Sequence, residues 1–192
     1  MKSVSFIFLI VLLFSCNSKS EEKISISPKK ETSKPKSFNL SGTNYFFGPE
    51  FDSKTCEPVA ECDCCSWNIL FLDAENFITI CPCESDESIL RGTYKIVNNQ
   101  VVLSYDTLQV DRDYNWEYDE DTIHTLKPEY NITISKANAD SQILKPLYCN
   151  GKLYFEMKAD EELTYGTPDN RFTLNQQIKM LKDEGVWDEI NQ

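Results

Sequence analysis

The sequence predicts a mainly β domain: an antiparallel meander, closed as a barrel or folded as a sandwich, with a C-terminal helix. Three observations carry that prediction. Short runs rich in aromatic and β-branched residues recur along the chain. Tight-turn dipeptides separate several of them. Near the end, apolar residues switch to helical spacing.

Runs 67–72, 77–83, 93–97 and 100–108 read as strands. Asp73-Ala74-Glu75-Asn76 joins the first pair and Asn98-Asn99 the second. Asn tolerates the left-handed backbone that tight hairpins need. Run 131–135 is a further strand. Runs 145–149 and 152–157 flank Asn150-Gly151, the strongest hairpin signal in the chain. Leu174, Ile178 and Leu181 fall at helical spacing, and Trp187 and Ile190 continue the stripe beyond Gly185. That pattern predicts a helix of about three turns and a short second piece, packed on the sheet or closing one barrel end.

The N-terminus carries an address. Met1-Lys2-Ser3 precedes an apolar run, Val4 to Phe14, that ends at Ser15-Cys16. A positive start, an apolar stretch and a small residue are the layout of a secretory signal. The run is too short to cross a bilayer, which takes about 20 residues. Leu13-Phe14-Ser15-Cys16 resembles the lipobox of bacterial lipoproteins, with Phe14 bulkier than the usual middle residue. The resemblance implies cleavage before Cys16 and acylation of its thiol and new amino group. Several acyl chains on one residue make a stable membrane anchor. Residues 1–15 are therefore read as signal peptide and 16–37 as a lipidated cysteine with a Ser-, Lys-, Glu- and Pro-rich tether. Residues 38–192 form a single domain. The expected location is the cell envelope, in the outer membrane, with the domain on its periplasmic or surface side.

Charge narrows the partners. Nineteen Lys and Arg face 31 Asp and Glu, a net charge of −12 with His neutral. No basic footprint for DNA or RNA exists, so nucleic acid is excluded as a partner. A basic protein or a cation is the complementary choice. The sole histidine, His124, has no neighbouring partner in sequence that would make it a catalytic base. No phosphate loop or His-Glu-x-x-His motif is present. The chain reads as a binder, not an enzyme.

Residues 111–121 alternate. Asp111, Asp113, Asn115, Glu117, Asp119 and Asp121 interleave with Tyr114, Trp116 and Tyr118. In an extended strand this places aromatics on one face and oxygen ligands on the other. A calcium loop of the EF-hand type needs Gly sixth and Glu twelfth, where Trp116 and Thr122 stand. The run is thus a strand with one buried and one solvated face, with a weak cation site or a partner contact as the functional options.

The chain has eight cysteines. With Cys16 committed to lipid, Cys56, Cys62, Cys64, Cys65, Cys81, Cys83 and Cys149 remain as disulfide candidates, and their odd number leaves one thiol over. Pairing Asp73 with Asn76 across the first turn sets Ile69 opposite Ile80 and Phe71 opposite Ile78. Asn68 then opposes Cys81, Ser66 opposes Cys83, and Cys62, Cys64, Cys81 and Cys83 converge on one patch. A one-residue slip brings Cys65 there instead. Export favours disulfides. The alternative is a soft-metal site for Cu(I) or Zn(II) built from Cys62, Cys65, Cys81 and Cys83. In the primary reading there is no cofactor.

Residues 62–105 run through Cys-Asp-Cys-Cys, Trp-Asn-Ile-Leu-Phe-Leu-Asp, Phe-Ile-Thr-Ile, Gly92-Thr-Tyr and Val-Val-Leu-Ser. They resemble the N-terminal lipocalin-like barrel of envelope-stress and copper-resistance lipoproteins. Cys62 and Cys65 match that family's cysteine pair, whereas Cys64, Cys81 and Cys83 are extra. The resemblance implies a non-enzymatic sensor or metal-handling lipoprotein. Three roles follow as expectations: an anchored, disulfide-stabilised binding module, a soft-metal or stress-sensing lipoprotein, and an acidic inhibitor or immunity-type lipoprotein.

Overall fold

Two Asn-led turns shape the meander. In the computed structural model Asn98 and Asn99 both take left-handed backbone, with φ of 51° and 62°, and join β6 (Asp86–Val97) to β7 (Gln100–Tyr114). Asn150 and Gly151, at 50° and 77°, join β9 (Gln142–Cys149) to β10 (Lys152–Ala159). Positive φ at both turn residues matches the twist of the flanking strands. The structure describes residues 38–59, 64–120, 128–137, 139–159 and 162–191. The signal segment, Cys16, the tether, Cys62 and His124 lie outside the described residues.

The remaining strands complete a ring. They are β1 (Thr43–Gly48), the short pair β2 (Phe51–Asp52) and β3 (Glu57–Pro58), β4 (Trp67–Phe71), β5 (Asn76–Cys83), β8 (Tyr130–Lys136) and β11 (Glu162–Pro168). The order β6-β5-β4-β1-β11-β10-β9-β7 closes on itself because β6 also pairs with β7. The result is an eight-stranded antiparallel barrel. Closure removes the free edges that a sandwich leaves.

Alternation fills the interior. Tyr45, Phe47, Ile69, Phe71, Phe77, Tyr94, Leu103, Leu144, Phe155 and Met157 meet in one buried cluster inside the ring. A barrel of eight strands is just wide enough for side chains to fill it. Space is tight enough that Gly92 on β6 is required. A Cβ there would collide with the Ser104 carbonyl on β7 and the Phe77 ring.

Strands β6 and β7 run past the barrel. The sequence reading began β6 at 93 and ended β7 at 108, but the strands extend to Asp86 and Tyr114. Their outer halves are held by β5 on one side and β8 on the other, with a register shift between Leu90 and Gly92. Strand β7 changes partner on the way: β9 at Val101–Leu103, then β8 from Leu108.

Outside the barrel, α2 (Leu174–Asp183) and α3 (Val186–Ile190) lie on this extension. Thr173 caps α2 through a capping box with Gln176, and Gly185 turns the chain at φ 77°. Leu181, Val186 and Ile190 pack on Leu70, Ile78, Ile80, Ile89 and Val110. Burial of each such side chain contributes about 1.5–3 kcal/mol. The helical stripe thus covers the outside of the sheet and does not plug an end.

The first hairpin differs from expectation by one residue. Asn68 pairs with Ile80, Ile69 with Thr79 and Phe71 with Phe77. The cause is Asp73. Its carboxylate accepts from the backbone of Glu75 and Asn76, both at 2.8 Å, and from the Asn76 side chain. These bonds hold a three-residue loop closed by the Leu72 N–H donating to the Asn76 carbonyl. Both faces of β4 are buried, Ile69 and Phe71 in the barrel interior and Leu70 in the cluster formed with α2 and α3.

Candidate binding groove

Among the described residues, two disulfides have both partners in place. Cys56 is joined to Cys149 across 93 residues, tying the β2–β3 loop to the end of β9. Cys64 is joined to Cys83 with Cα atoms 4.1 Å apart. Cys64 reaches Cys83 from a left-handed turn, φ 64°, just before β4. Cys65 is also disulfide-bonded. Cys81 keeps a free thiol. Burial, with the Glu87 charge second, pushes that thiol up to about 11. Of the four sulfurs considered for a soft metal, Cys62 lies outside the described residues. In this oxidised state Cys65 and Cys83 have no thiolate to offer.

The inner face of the extension is polar. Asp111 accepts from Ser88 Oγ at 2.6 Å, Gln109 Nε2 at 2.7 Å and Ser135 Oγ at 3.2 Å. Nearer the barrel, Tyr105 donates to Gln142 Oε1 at 2.6 Å. Burial pushes the Tyr105 hydroxyl up to about 12. Asp111 therefore binds three strands to one another.

The outer face is aromatic and charged. Arg112 points outward from β7 and is largely buried. Its Nη2 sits 2.8 Å from Glu87 on β6, its Nη1 pairs with Glu184 at the end of α2, and its guanidinium lies 4.4 Å from the Tyr130 ring centre. Burial raises the Glu87 carboxyl above its ordinary range; Arg112 opposes that shift and Glu184 adds to it. Loss of water outweighs pairing here.

The acidic aromatic run does not continue as a strand. Strand β7 stops at Tyr114, and α1 (Glu117–Glu120) follows. The reason is Asn115. Its Nδ2 donates to the Pro128 carbonyl at 2.8 Å, its N–H to the Glu129 carbonyl, and its Oδ1 accepts from the Glu117 N–H. A side chain bonded this way offers the backbone an alternative to the ladder. Asn115 is thus buried with both side-chain polar atoms bonded to backbone, and Asp111 and Asp113 lie on the opposite side of the sheet from Tyr114. Trp116 is left 68% exposed, edge-on to Tyr114, which in turn meets Tyr130.

Beside these rings lies a groove of about 480 Å³, lined by Pro128, Glu129, Tyr130, Ile132, Asp183 and Glu184. Its walls come from β8, the segment before it, and the end of α2. Strand β8 is the outermost strand of the sheet, and Asn131 to Lys136 are all exposed. Sequence reading singled out the aromatics but not Arg112, Glu129 or Glu184. Those meet only through the pairing of β7 with β6 and β8 and the docking of α2.

The fold class can now be stated: a closed, streptavidin-like β-barrel. The chain is similar to a streptavidin-like protein from Bacteroides eggerthii, with a TM-score of 0.56 and 13% identity, over 78% of this chain and 92% of that one. That likeness concerns the fold. No known family model matches the chain, and no curated protein matches it.

Proposed function

We propose that this chain is an exported lipoprotein, anchored through Cys16 in the outer membrane, whose oxidised barrel acts by binding. The observation that carries the reading is the pair of bridges, Cys56–Cys149 and Cys64–Cys83. Disulfides persist in oxidising compartments, where a lipobox would deliver the domain. The barrel's middle is filled by Phe71, Phe77, Leu103, Leu144 and Phe155, all with zero exposure. Binding is therefore assigned to the outer surface of the β6–β7–β8 extension, where a groove and the exposed Trp116 coincide. Radiolabelled palmitate and membrane fractionation test the anchor. Wild-type protein takes up label and stays with the membrane; Cys16→Ala does neither. Equal behaviour of the two would overturn the reading.

A second reading has its own support. The net charge of −12 and the carboxylates on the groove favour an acidic inhibitor or immunity-type lipoprotein that covers a basic protein.

A further inference from the structure

The groove lies against β8, which ends the sheet among the described residues. We infer that a basic, extended segment of a partner protein adds to β8 and sets a lysine or arginine side chain in the groove. The inference rests on the second reading above and names its recognition element.

Three features of the surface fit that occupant. The first is the edge. Strand β8 is seven residues long and ends the sheet, and its residues from Asn131 onward are exposed. Its outward backbone groups are a template for one more strand, the usual route by which a sheet takes up an extended peptide. The face is set by register. Tyr130, Ile132 and Ile134 oppose Tyr114, Arg112 and Val110 and so share the outer face. Alternate residues of an added strand would stand beside them.

The second is charge. Glu129 borders the groove from the segment before β8, and Asp183 and Glu184 from the end of α2. Behind them Glu87 and Glu184 share Arg112, Lys179 pairs with Asp183, Lys182 is turned onto the Trp187 ring, and Lys136 stands at the far end of β8. The described lining of the groove itself carries three carboxylates and no lysine or arginine. Asp183 and Glu184 stand at the C-terminus of α2, the negative end of its dipole. The Lys179–Asp183 pair is exposed, and such pairs contribute little, so Asp183 is free to exchange partners.

The third is the floor. Tyr130 already carries one guanidinium at 4.4 Å, and the exposed Trp116 extends the aromatic surface through Tyr114. Such rings attract cations. Ile132 and Ile134 are 36% and 50% exposed and would cover the methylene stem of a long basic side chain. A second copy of this chain would also pair edge to edge. The net charge of −12 on each copy opposes that and selects a basic partner.

The test uses the purified mature chain with its disulfides intact and two fluorescent probe peptides, one alternating Lys and Val, the other Glu and Val. The Lys–Val peptide should bind, and the Glu–Val peptide should bind at least about tenfold more weakly. Glu129→Gln with Asp183→Asn should weaken the Lys–Val peptide about tenfold, while Glu50→Gln with Glu162→Gln should leave it unchanged. Equal binding of the two peptides, or equal loss from both double variants, would overturn the inference. So would sedimentation of the wild-type chain as a dimer that Ile134→Lys dissolves. If both peptides fail while the chain still holds a basic protein through salt-sensitive contacts, the strand-addition inference falls and the second reading stands; loss of both removes that reading too.

Discussion

Arg112 and Glu184 are paired across the boundary between barrel and helices, one from β7 and the other from the cap of α2. Glu87 takes the other side of the guanidinium, so one side chain joins β6, β7 and the C-terminal helices. This ion cluster decides how the outer face is built, and it borders the groove.

Removing Arg112 would leave two carboxylates facing each other in a poorly solvated site. Arg112→Ala is expected to lower stability by about 3 kcal/mol. Arg112→Lys should lose less, since it keeps the charge but not the fork. Urea denaturation checks both. A loss below about 0.5 kcal/mol for the alanine variant would place the cluster among weak surface pairs.

The Glu87 carboxyl sits above its ordinary range because burial opposes its charge. A raised carboxyl binds a proton more readily in the folded state. Its contribution is therefore full below the ordinary carboxylate range and is lost as pH rises through the raised value. Glu87→Gln should flatten the fall in melting temperature that sets in as pH rises above the ordinary carboxylate range. An unchanged slope would contradict the assignment.

The Cys56–Cys149 bridge closes a loop of 93 residues. Replacing both with Ala should cost about 4 kcal/mol, chiefly by freeing the unfolded chain. Loss of Cys64–Cys83, with a separation of 19, should cost less, about 3 kcal/mol. Denaturation midpoints of the two double variants give the order directly.

Gly92 has no room for a side chain. Gly92→Ala presses a methyl on the Ser104 carbonyl, a backbone atom that cannot swing aside. Overpacking of this kind costs about 1–3 kcal/mol. By contrast, nothing lies within 4 Å of the Cβ position at Gly42, where the cost comes from its φ of 79° alone.

Elements made by local chemistry were legible in the sequence. Asn98-Asn99 and Asn150-Gly151 identified two hairpins, and Leu174, Ile178 and Leu181 the helix. Strands β1 and β11 carry no such local signal. Asn44 to Gly48 is buried without alternation, and β11 carries Gly166 and Pro168. Each depends on the other: Phe47 pairs with Gly166, and a Cβ on Gly166 would strike the Phe47 ring. Contacts so distant in sequence leave no short-range pattern. The hairpin slip had a local cause, the Asp73 carboxylate capping Asn76, and that Asp-x-x-Asn signal was available. The groove was half legible. Trp116 and Tyr114 stood out as a run, whereas Arg112 gained meaning only between Glu87 and Glu184.

Cys81 is the sulfur left over. Its thiol, pushed up to about 11, should react with a thiol reagent at neutral pH on the order of a hundredfold more slowly than an ordinary cysteine. After unfolding without reductant it should react at the ordinary rate.

The central claim is an anchored chain with oxidised sulfurs, and a mass spectrum of the mature protein tests it most directly. The account predicts an acylated Cys16 at the N-terminus, cross-linked peptides joining Cys56 to Cys149 and Cys64 to Cys83, and one alkylatable thiol, at Cys81. Recovery of a chain that still begins at Met1, without lipid and with Cys56, Cys64, Cys83 and Cys149 all alkylated, would contradict it.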